Sequence, residues 1–410
     1  MPEKKHTVRF EPDGVTIDAY QEGENLLRLA IVAGVHVNAS CGGAGTCGKC
    51  KVRIVEGEFE SDHSPKINDE QWEQGYRLAC RTRVHGDLVV EVPIESRQEK
   101  GVLSRVLGRR TDHVLAQQKW GTEYDQVPPD PVVVRRFVEL PHPSDVDNGS
   151  DMGRMGLVLK REHGIGRTAS GLEIITQLPD TLRQGDWKVT ASVHHSRCGP
   201  QLTRVEPGDR SGEAYAVALD IGTTTVHVQL INGATGEKVA GGAEYNSQVS
   251  LGEDVITRII HALKPGGLHA LQKRVVKTIN EVLHEVFEKS AVAPDDVTHM
   301  VVGGNTTMTQ LFLGINPKYI REAPYVPAAN FFPTFSPAEL GIALPEHAVA
   351  DCMPCVASYV VGDITAGVLA TAIHLRPELT LFMDVGTNGE IVIGNKDWMV
   401  SASASAGPAF

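Results

Sequence analysis

No apolar run in this 410-residue chain approaches the roughly 20 residues that a membrane-spanning helix requires. Its first residues, Met1-Pro2-Glu3-Lys4-Lys5-His6, lack the apolar core of a secretory signal. Positive charge is in deficit. The 39 Lys and Arg face 51 Asp and Glu, a net charge of −12, which argues against nucleic acid or an anionic membrane as a general partner. Aromatic residues make up only 5 %, within an otherwise ordinary composition for a globular protein. Cysteine is sparse too. The seven present do not make the disulfide framework of a small secreted domain, and four of them read as metal ligands, which suits a reducing cytoplasm. The length allows about two to four domains, each with its own core.

The four are Cys41, Cys47, Cys50 and Cys80. The first three stand at C-x5-C-x2-C spacing in Cys41-Gly42-Gly43-Ala44-Gly45-Thr46-Cys47-Gly48-Lys49-Cys50, and the last follows in Arg77-Leu78-Ala79-Cys80-Arg81. Four thiolates are what a 2Fe-2S cluster needs, and the plant-type spacing differs by one residue in its first gap. The glycines allow left-handed backbone angles and bring amide N–H groups near the sulfurs. A structural zinc site usually shows two short cysteine pairs, so zinc is the weaker reading. On these residues, positions 5–95 resemble a ferredoxin domain of the adrenodoxin kind, which shares the first gap.

Along the chain, residues 7–19 read as a hairpin turning at Pro12-Asp13-Gly14, and Asn25 to Ala33 as a helix. Lys51 to Val55 alternates as a strand, Asp69 to Tyr76 suits a short helix, and Leu88 to Val92 closes the unit as a strand. A β-grasp domain over residues 1–95 follows. Residues 96–131 are charged and polar, cluster Arg105, Arg109 and Arg110, and end in Pro128-Pro129-Asp130-Pro131, which reads as a linker. Residues 132–207 form a small α/β middle domain: strand Val132 to Leu140, helix Asp151 to His163, strand Trp187 to Val193. Its motifs are weak. Gly164-Ile165-Gly166 lacks the third glycine of a dinucleotide fingerprint, and His194-His195 with Cys198 reads as a surface turn rather than a metal site.

A second chemistry begins at Leu219-Asp220-Ile221-Gly222-Thr223-Thr224-Thr225, where an apolar strand ends in Asp and a Gly-Thr turn leads into another strand. Such a turn presents amides and hydroxyls to phosphate oxygens, and the Asp can hold a hydrated magnesium. The pattern recurs at Met383-Asp384-Val385-Gly386-Thr387-Asn388-Gly389. One such turn is common among hairpins; two form an internal repeat. Residues 213–410 thereby resemble the actin, Hsp70 and sugar-kinase superfamily, an RNase H-like fold with one phosphate loop per lobe. Val361 to Ala370 resembles the small-residue helix that joins the lobes. The resemblance implies bound ATP with Mg2+, catalytic roles for Asp220 and Asp384, and nucleotide contacts from Gly222, Thr223, Thr224, Thr225, Asp363, Gly386, Thr387, Asn388 and Gly389.

The fold class expected is therefore multidomain α+β and α/β. A ferredoxin joined to this ATPase fold resembles the reductive activators of corrinoid proteins, the activating enzymes of corrinoid-dependent methyltransferase systems. Asn246-Ser247-Gln248, Gly252 to Arg258, Gly303-Gly304-Asn305-Thr306-Thr307-Met308, Ala323-Pro324-Tyr325-Val326-Pro327 and Ser405-Ala406-Gly407-Pro408-Ala409-Phe410 carry that resemblance. Ser247 departs from it, where relatives are expected to have proline. The implied partners are a corrinoid protein and a low-potential electron donor, with a homodimer kept as a candidate assembly. Cys352-Met353-Pro354-Cys355 reads as core or turn cysteines rather than a redox pair.

A plant-type cluster sits at about −400 mV, and each ~59 mV of one-electron gap is a tenfold factor in equilibrium. Reducing cob(II)alamin to cob(I)alamin takes a still lower potential, as the family's role implies. ATP can shift such an equilibrium if it favours a conformation in which the cobalt is easier to reduce. Two other readings stand beside this one: a small-molecule kinase with an appended cluster domain, and an electron carrier on a vestigial ATPase scaffold. Little chain follows Gly389, so the second lobe is expected to be incomplete in these residues, with a sheet edge unpaired, weak ATP binding and no corrinoid-stimulated turnover.

Overall fold

Val8 and Phe10 are buried while Arg9 between them is exposed, the period of two that commits a segment to one face of a sheet. In the computed structural model they lie on β1 (His6–Glu11), which pairs antiparallel with β2 (Val15–Ala19). The structure describes residues 6–12, 14–19, 22–33, 35, 37, 45, 48–93, 96, 131–252, 254–358, 360–385 and 389–404. The linker expected over residues 96–131 falls almost entirely outside them. Two compact units are present, residues 1–103 with 247–261, and residues 104–246 with 262–410. No described helix is long and apolar enough to cross a membrane.

In the first unit, β3 (Glu24–Asn25) leads into helix α1 (Leu26–Val32), whose Leu26, Leu29 and Ala30 are buried in the core. Then come β4 (Lys51–Ser61), α2 (Asp69–Glu73), β5 (Tyr76–Leu78) and β6 (Thr82–Glu91). The sheet order is β2-β1-β6-β4-β5 with β3 beside β6, and β1 runs parallel to β6. A mixed sheet with one helix packed on it is the β-grasp arrangement. The strands β4 and β6 run longer than their alternation indicates because bulges reset the pleat. Gly57 sits at one bulge with φ +116°, and a Cβ there would lie 2.0 Å from the Asp87 carbonyl oxygen. The helix expected over Asp69 to Tyr76 stops at Glu73. Gly75 turns left-handed (φ +89°) and its carbonyl accepts from the Ile54 amide, so Tyr76 starts a strand.

The middle region is a four-stranded sheet in the order β7-β9-β10-β8, made by β7 (Val133–Glu139), β8 (Ala169–Ser170), β9 (Lys188–Ser196) and β10 (Gly199–Pro207). Helix α3 (Asp151–His163) is capped by Ser150 at one end and left-handed Gly164 at the other. Helix α4 (Leu172–Gln184) contains Pro179, yet Leu178 and Leu182 are buried. That apolar face outweighs the lost amide. Trp187 lies outside the strand expected to contain it, at φ +63° before β9.

The next sheet has the order β13-β12-β11-β14-β15. Its strands are β11 (Tyr215–Ile221), β12 (Thr225–Asn232), β13 (Lys238–Tyr245), β14 (Val297–Gly304) and β15 (Val349–Cys352), with β14 parallel to β11 and β15 parallel to β14. After β13 the chain passes through residues counted with the first unit, including most of helix α5 (Val255–Ala262), in which Arg258 is fully buried and donates to the Gly252 carbonyl at 2.7 Å. Helix α6 (Gly267–Ser290) then covers β12 and β13, burying Ile279, Val282 and Val286. Helices α7 (Thr306–Phe312), α8 (Lys318–Arg321) and α9 (Gly362–Thr371) follow. The chain closes in an antiparallel sheet of β16 (Thr380–Val385), β17 (Gly389–Gly394) and β18 (Met399–Ala404). On one face Phe382 and Val392 pack toward α9; on the other, Leu381, Met383, Ile391, Ile393 and Val400 remain 38–58 % exposed.

Candidate functional site

In the first unit, β4 and the turn after β5 bring two of the expected ligands together. Cys50 is 1 % exposed, and its sulfur lies 3.3 Å from that of Cys80. That distance is far beyond a disulfide bond, so the two thiols face one another unlinked. The Ala79 amide donates to the Cys50 carbonyl at 2.9 Å and Asn25 donates through Nδ2 to the Cys80 carbonyl at 2.8 Å, which fixes both backbones. Gly45 and Gly48 have φ of +76° and +72°, and a Cβ on Gly45 would strike the Arg81 guanidinium. Cys41 and Cys47 lie outside the described residues. Adjacent thiols, Cys50 buried and Cys80 half-buried, together with left-handed Gly45 and Gly48, fit one side of a 2Fe-2S cluster.

The second site is built on two hairpins of the same design. Asp220 is the penultimate residue of β11 and Asp384 of β16. Their turns differ by one residue, since Ile221 pairs with Val226 whereas Val385 pairs with Gly389. The first turn is held by two asparagines whose role no sequence motif announces. Fully buried Asn246 donates through Nδ2 to the Gly222 carbonyl at 2.9 Å and through its amide to the Thr224 carbonyl at 2.8 Å. Asn305, at the N-cap of α7, donates to Thr223 Oγ1 at 3.1 Å. Thr223 is thus turned inward and 5 % exposed, while Thr224 points outward and Thr225 opens β12. Gly386, Thr387 and Asn388 lie outside the described residues, and Gly389 begins β17.

Four carboxylates gather around these hairpins. Asp220 stays accessible to solvent, yet the surrounding protein and the charge of Asp384 push its carboxyl up to about 6. Asp363, at the start of α9, is also raised to about 6, first by burial and then by Asp384 and Asp220. Burial raises Asp384 as well. Glu390 faces Asp384 across the hairpin, is buried, accepts from Ser403 Oγ at 3.3 Å, and is raised by burial, Asp363 and Asp384. Sequence reasoning missed Glu390, because only the β16–β17 register reveals that it shares a face with Asp384. Mutually repelling carboxylates together favour a nearby hydrated divalent cation. Among the described residues, no group of three or more is close enough to ligate a metal directly. A groove of about 920 Å³ runs along His269–His284 of α6 and Glu339–Gly341, lined by none of these residues.

Four family models match in succession. They are a 2Fe-2S iron-sulfur cluster binding domain over 8–85, the RACo linker region over 122–212, the RACo middle region over 215–376, and the C-terminal ASKHA domain of RACo over 378–410. The chain belongs to the RACo family. A solved structure named "Reductive activator for corrinoid,iron-sulfur protein" is 38 % identical with a TM-score of 0.66, covering 99 % of this chain and 64 % of its own. The corrinoid activation enzyme RamQ of Eubacterium limosum is 31 % identical over 206 residues, 50 % of this chain and 34 % of RamQ. The glycine betaine monooxygenase reductase of Pseudomonas aeruginosa (strain UCBPP-PA14) is 37 % identical over 87 residues, 21 % of this chain and 23 % of that protein. This RACo chain thus matches about a third of RamQ and just under two thirds of the solved activator. The residues read as the middle domain fall within the RACo linker region, whose sheet is well formed. His194, expected in a surface turn, is instead buried in β9 with its Nε2 3.3 Å from Asp351 Oδ2; only His195 and Cys198 are exposed.

Proposed function

We propose that the protein carrying this chain uses ATP to drive one electron onto the cob(II)alamin of a corrinoid protein, giving cob(I)alamin. The observation that carries the reading is the presence, in one RACo chain, of an adjacent, part-buried thiol pair and a twin-hairpin carboxylate site. A solved relative 38 % identical to this chain bears the name of such an activator. Cys41, Cys47, Cys50 and Cys80 would hold the 2Fe-2S group, which would supply the single electron drawn from an external low-potential donor. Asp220, Asp384 and Asp363, with Glu390 behind them, hold the waters of a magnesium ion on the ATP phosphates. Backbone amides of the 222–224 turn would meet the phosphate oxygens, and Asn246 and Asn305 keep that turn in place. Binding the magnesium–nucleotide complex relieves the repulsion among these carboxylates, so the nucleotide-bound arrangement is stabilised relative to the empty one.

The test separates the two halves. Anaerobic protein is expected to contain about two irons per chain, with Cys50→Ser altering the visible spectrum and Cys198→Ser leaving it unchanged. Asp220→Ala is expected to abolish ATP-dependent corrinoid reduction while the cluster still accepts electrons from a chemical donor. Undiminished ATP-driven reduction in that variant removes the carboxylate site from the mechanism; zinc without iron removes the cluster.

A further inference from the structure

Two motifs without a role in this chemistry, His194-His195 and Cys352-Met353-Pro354-Cys355, meet in the second unit. His194 on β9 and His299 on β14 both point Nε2 at Asp351 Oδ2, at 3.3 and 3.0 Å, and Thr334 donates through Oγ1 to Asp351 Oδ1 at 2.6 Å. His194 is 1 % exposed, and its Nδ1 has no hydrogen-bond partner. A proton on Nε2 lets His194 donate to the Asp351 carboxylate. Burial opposes the Asp351 charge, but the three donors together outweigh it and hold the carboxyl far below its usual range. Buried His194 thus joins the RACo linker region to the end of β15, beside the Arg204 contacts to the Asp295 carbonyl and to His347 Nε2.

From that point the chain to Asp363 is short and held at Met353, Pro354, Cys355 and Gly362. Asp351 is followed by Cys352, and the Met353 amide still donates to the Val302 carbonyl at 2.8 Å. The Cys355 amide donates to the Asn330 carbonyl at 2.9 Å, and its buried thiol meets the Thr306 side chain and the Gly362 backbone. Thr365 Oγ1 donates to the Pro354 carbonyl at 2.7 Å. Gly362 lies so near that a Cβ would stand 3.1 Å from the Gly304 carbonyl oxygen and 3.2 Å from Met353 Cβ. The next residue is Asp363.

We propose that His194 is a positioning residue for the nucleotide site: its hydrogen bond to Asp351 fixes the end of β15, and the 353–362 segment carries that constraint to Asp363. The role of the RACo linker region is then to act on the nucleotide-binding lobe through this contact. The two cysteines pack within the segment, Cys355 buried and Cys352 half-buried, and Cys352, raised to about 12 by burial and by Asp351, stays a thiol. The inference rests on the nucleotide reading above.

The experiment compares the full protein with His194→Ala, with Asp351→Asn, and with His194→Gln, which keeps a donor at similar reach. Amide hydrogen exchange without nucleotide is read first. Exchange across residues 353–366 is expected to quicken at least tenfold in His194→Ala and Asp351→Asn and to stay within twofold in His194→Gln, with His195→Ala as an unaffected control. Magnesium–ATP affinity, measured by calorimetry, is expected to fall about tenfold in the first two and to recover in the third. Faster exchange confined to residues 188–207, with 353–366 unchanged, overturns the inference. So does unchanged ATP affinity in a folded His194→Ala protein. If the unaltered protein binds no ATP, the reading under Proposed function fails, while the exchange pattern still decides whether His194 positions Asp363.

Discussion

Asp220 and Asp363 are each raised from an ordinary 3.8 to about 6, and the sign of the consequence follows from proton counting. Between pH 4 and 6 the native protein holds protons on these groups that the unfolded chain has released. Stability therefore falls as pH rises through that window, and the deficit is complete above about 6. A divalent cation binds the deprotonated form and opposes the loss. In metal-free protein, the calorimetric transition of the second unit is expected to move down between pH 5 and pH 7.5. Millimolar magnesium should recover part of the shift at the higher pH, and Asp220→Asn should flatten the dependence. A transition that rises over this range would show that the carboxylates are not protonated in the folded state. Across the same range Asp351 stays ionised, because its three donors act in the opposite sense to the crowding around Asp220.

At the scale of elements, α9 owes its place to a residue with no side chain. A Cβ on Gly367 would lie 2.2 Å from Phe382 Cζ on β16, so helix and sheet approach only because that carbon is missing. Gly367→Ala is expected to destabilise the second unit by about 1–3 kcal/mol, the usual cost of overpacking. Phe382→Leu in the same chain should return part of it, since the two residues share one contact. Additive losses in a double-mutant cycle would show that the ring simply moves aside. The twin hairpins around α9 were legible in the sequence because Asp-x-Gly-Thr after an apolar strand appears twice. The 2Fe-2S domain was legible for a similar reason, with three cysteines within ten residues. Glu390 was hidden because its meaning depends on strand register, and His194 because its partner Asp351 is far along the chain. Helix α4 was missed because Pro179 reads as a stop, whereas the buried Leu178 and Leu182 override it.

For the whole molecule, the division into units does not follow the order of the chain. Residues 1–103 and 247–261 make one, and the remainder makes the other, so the backbone passes from unit to unit three times. A protein built as beads on a string can be separated by a single cut between the beads. This one is laced: the strand β13 and the helix α6 belong to the second unit, while the stretch between them is counted with the ferredoxin. A protease site introduced between residues 104 and 130 should therefore yield two pieces that still elute together under native conditions and part only in denaturant. Clean separation into a ferredoxin fragment and a remainder would show that residues 247–261 contribute little to holding the first unit. If the pieces stay together, the lacing also sets an order of assembly. The unit that begins at the N-terminus counts residues as far as 261, so its full set of residues exists only once the chain has been made to that point.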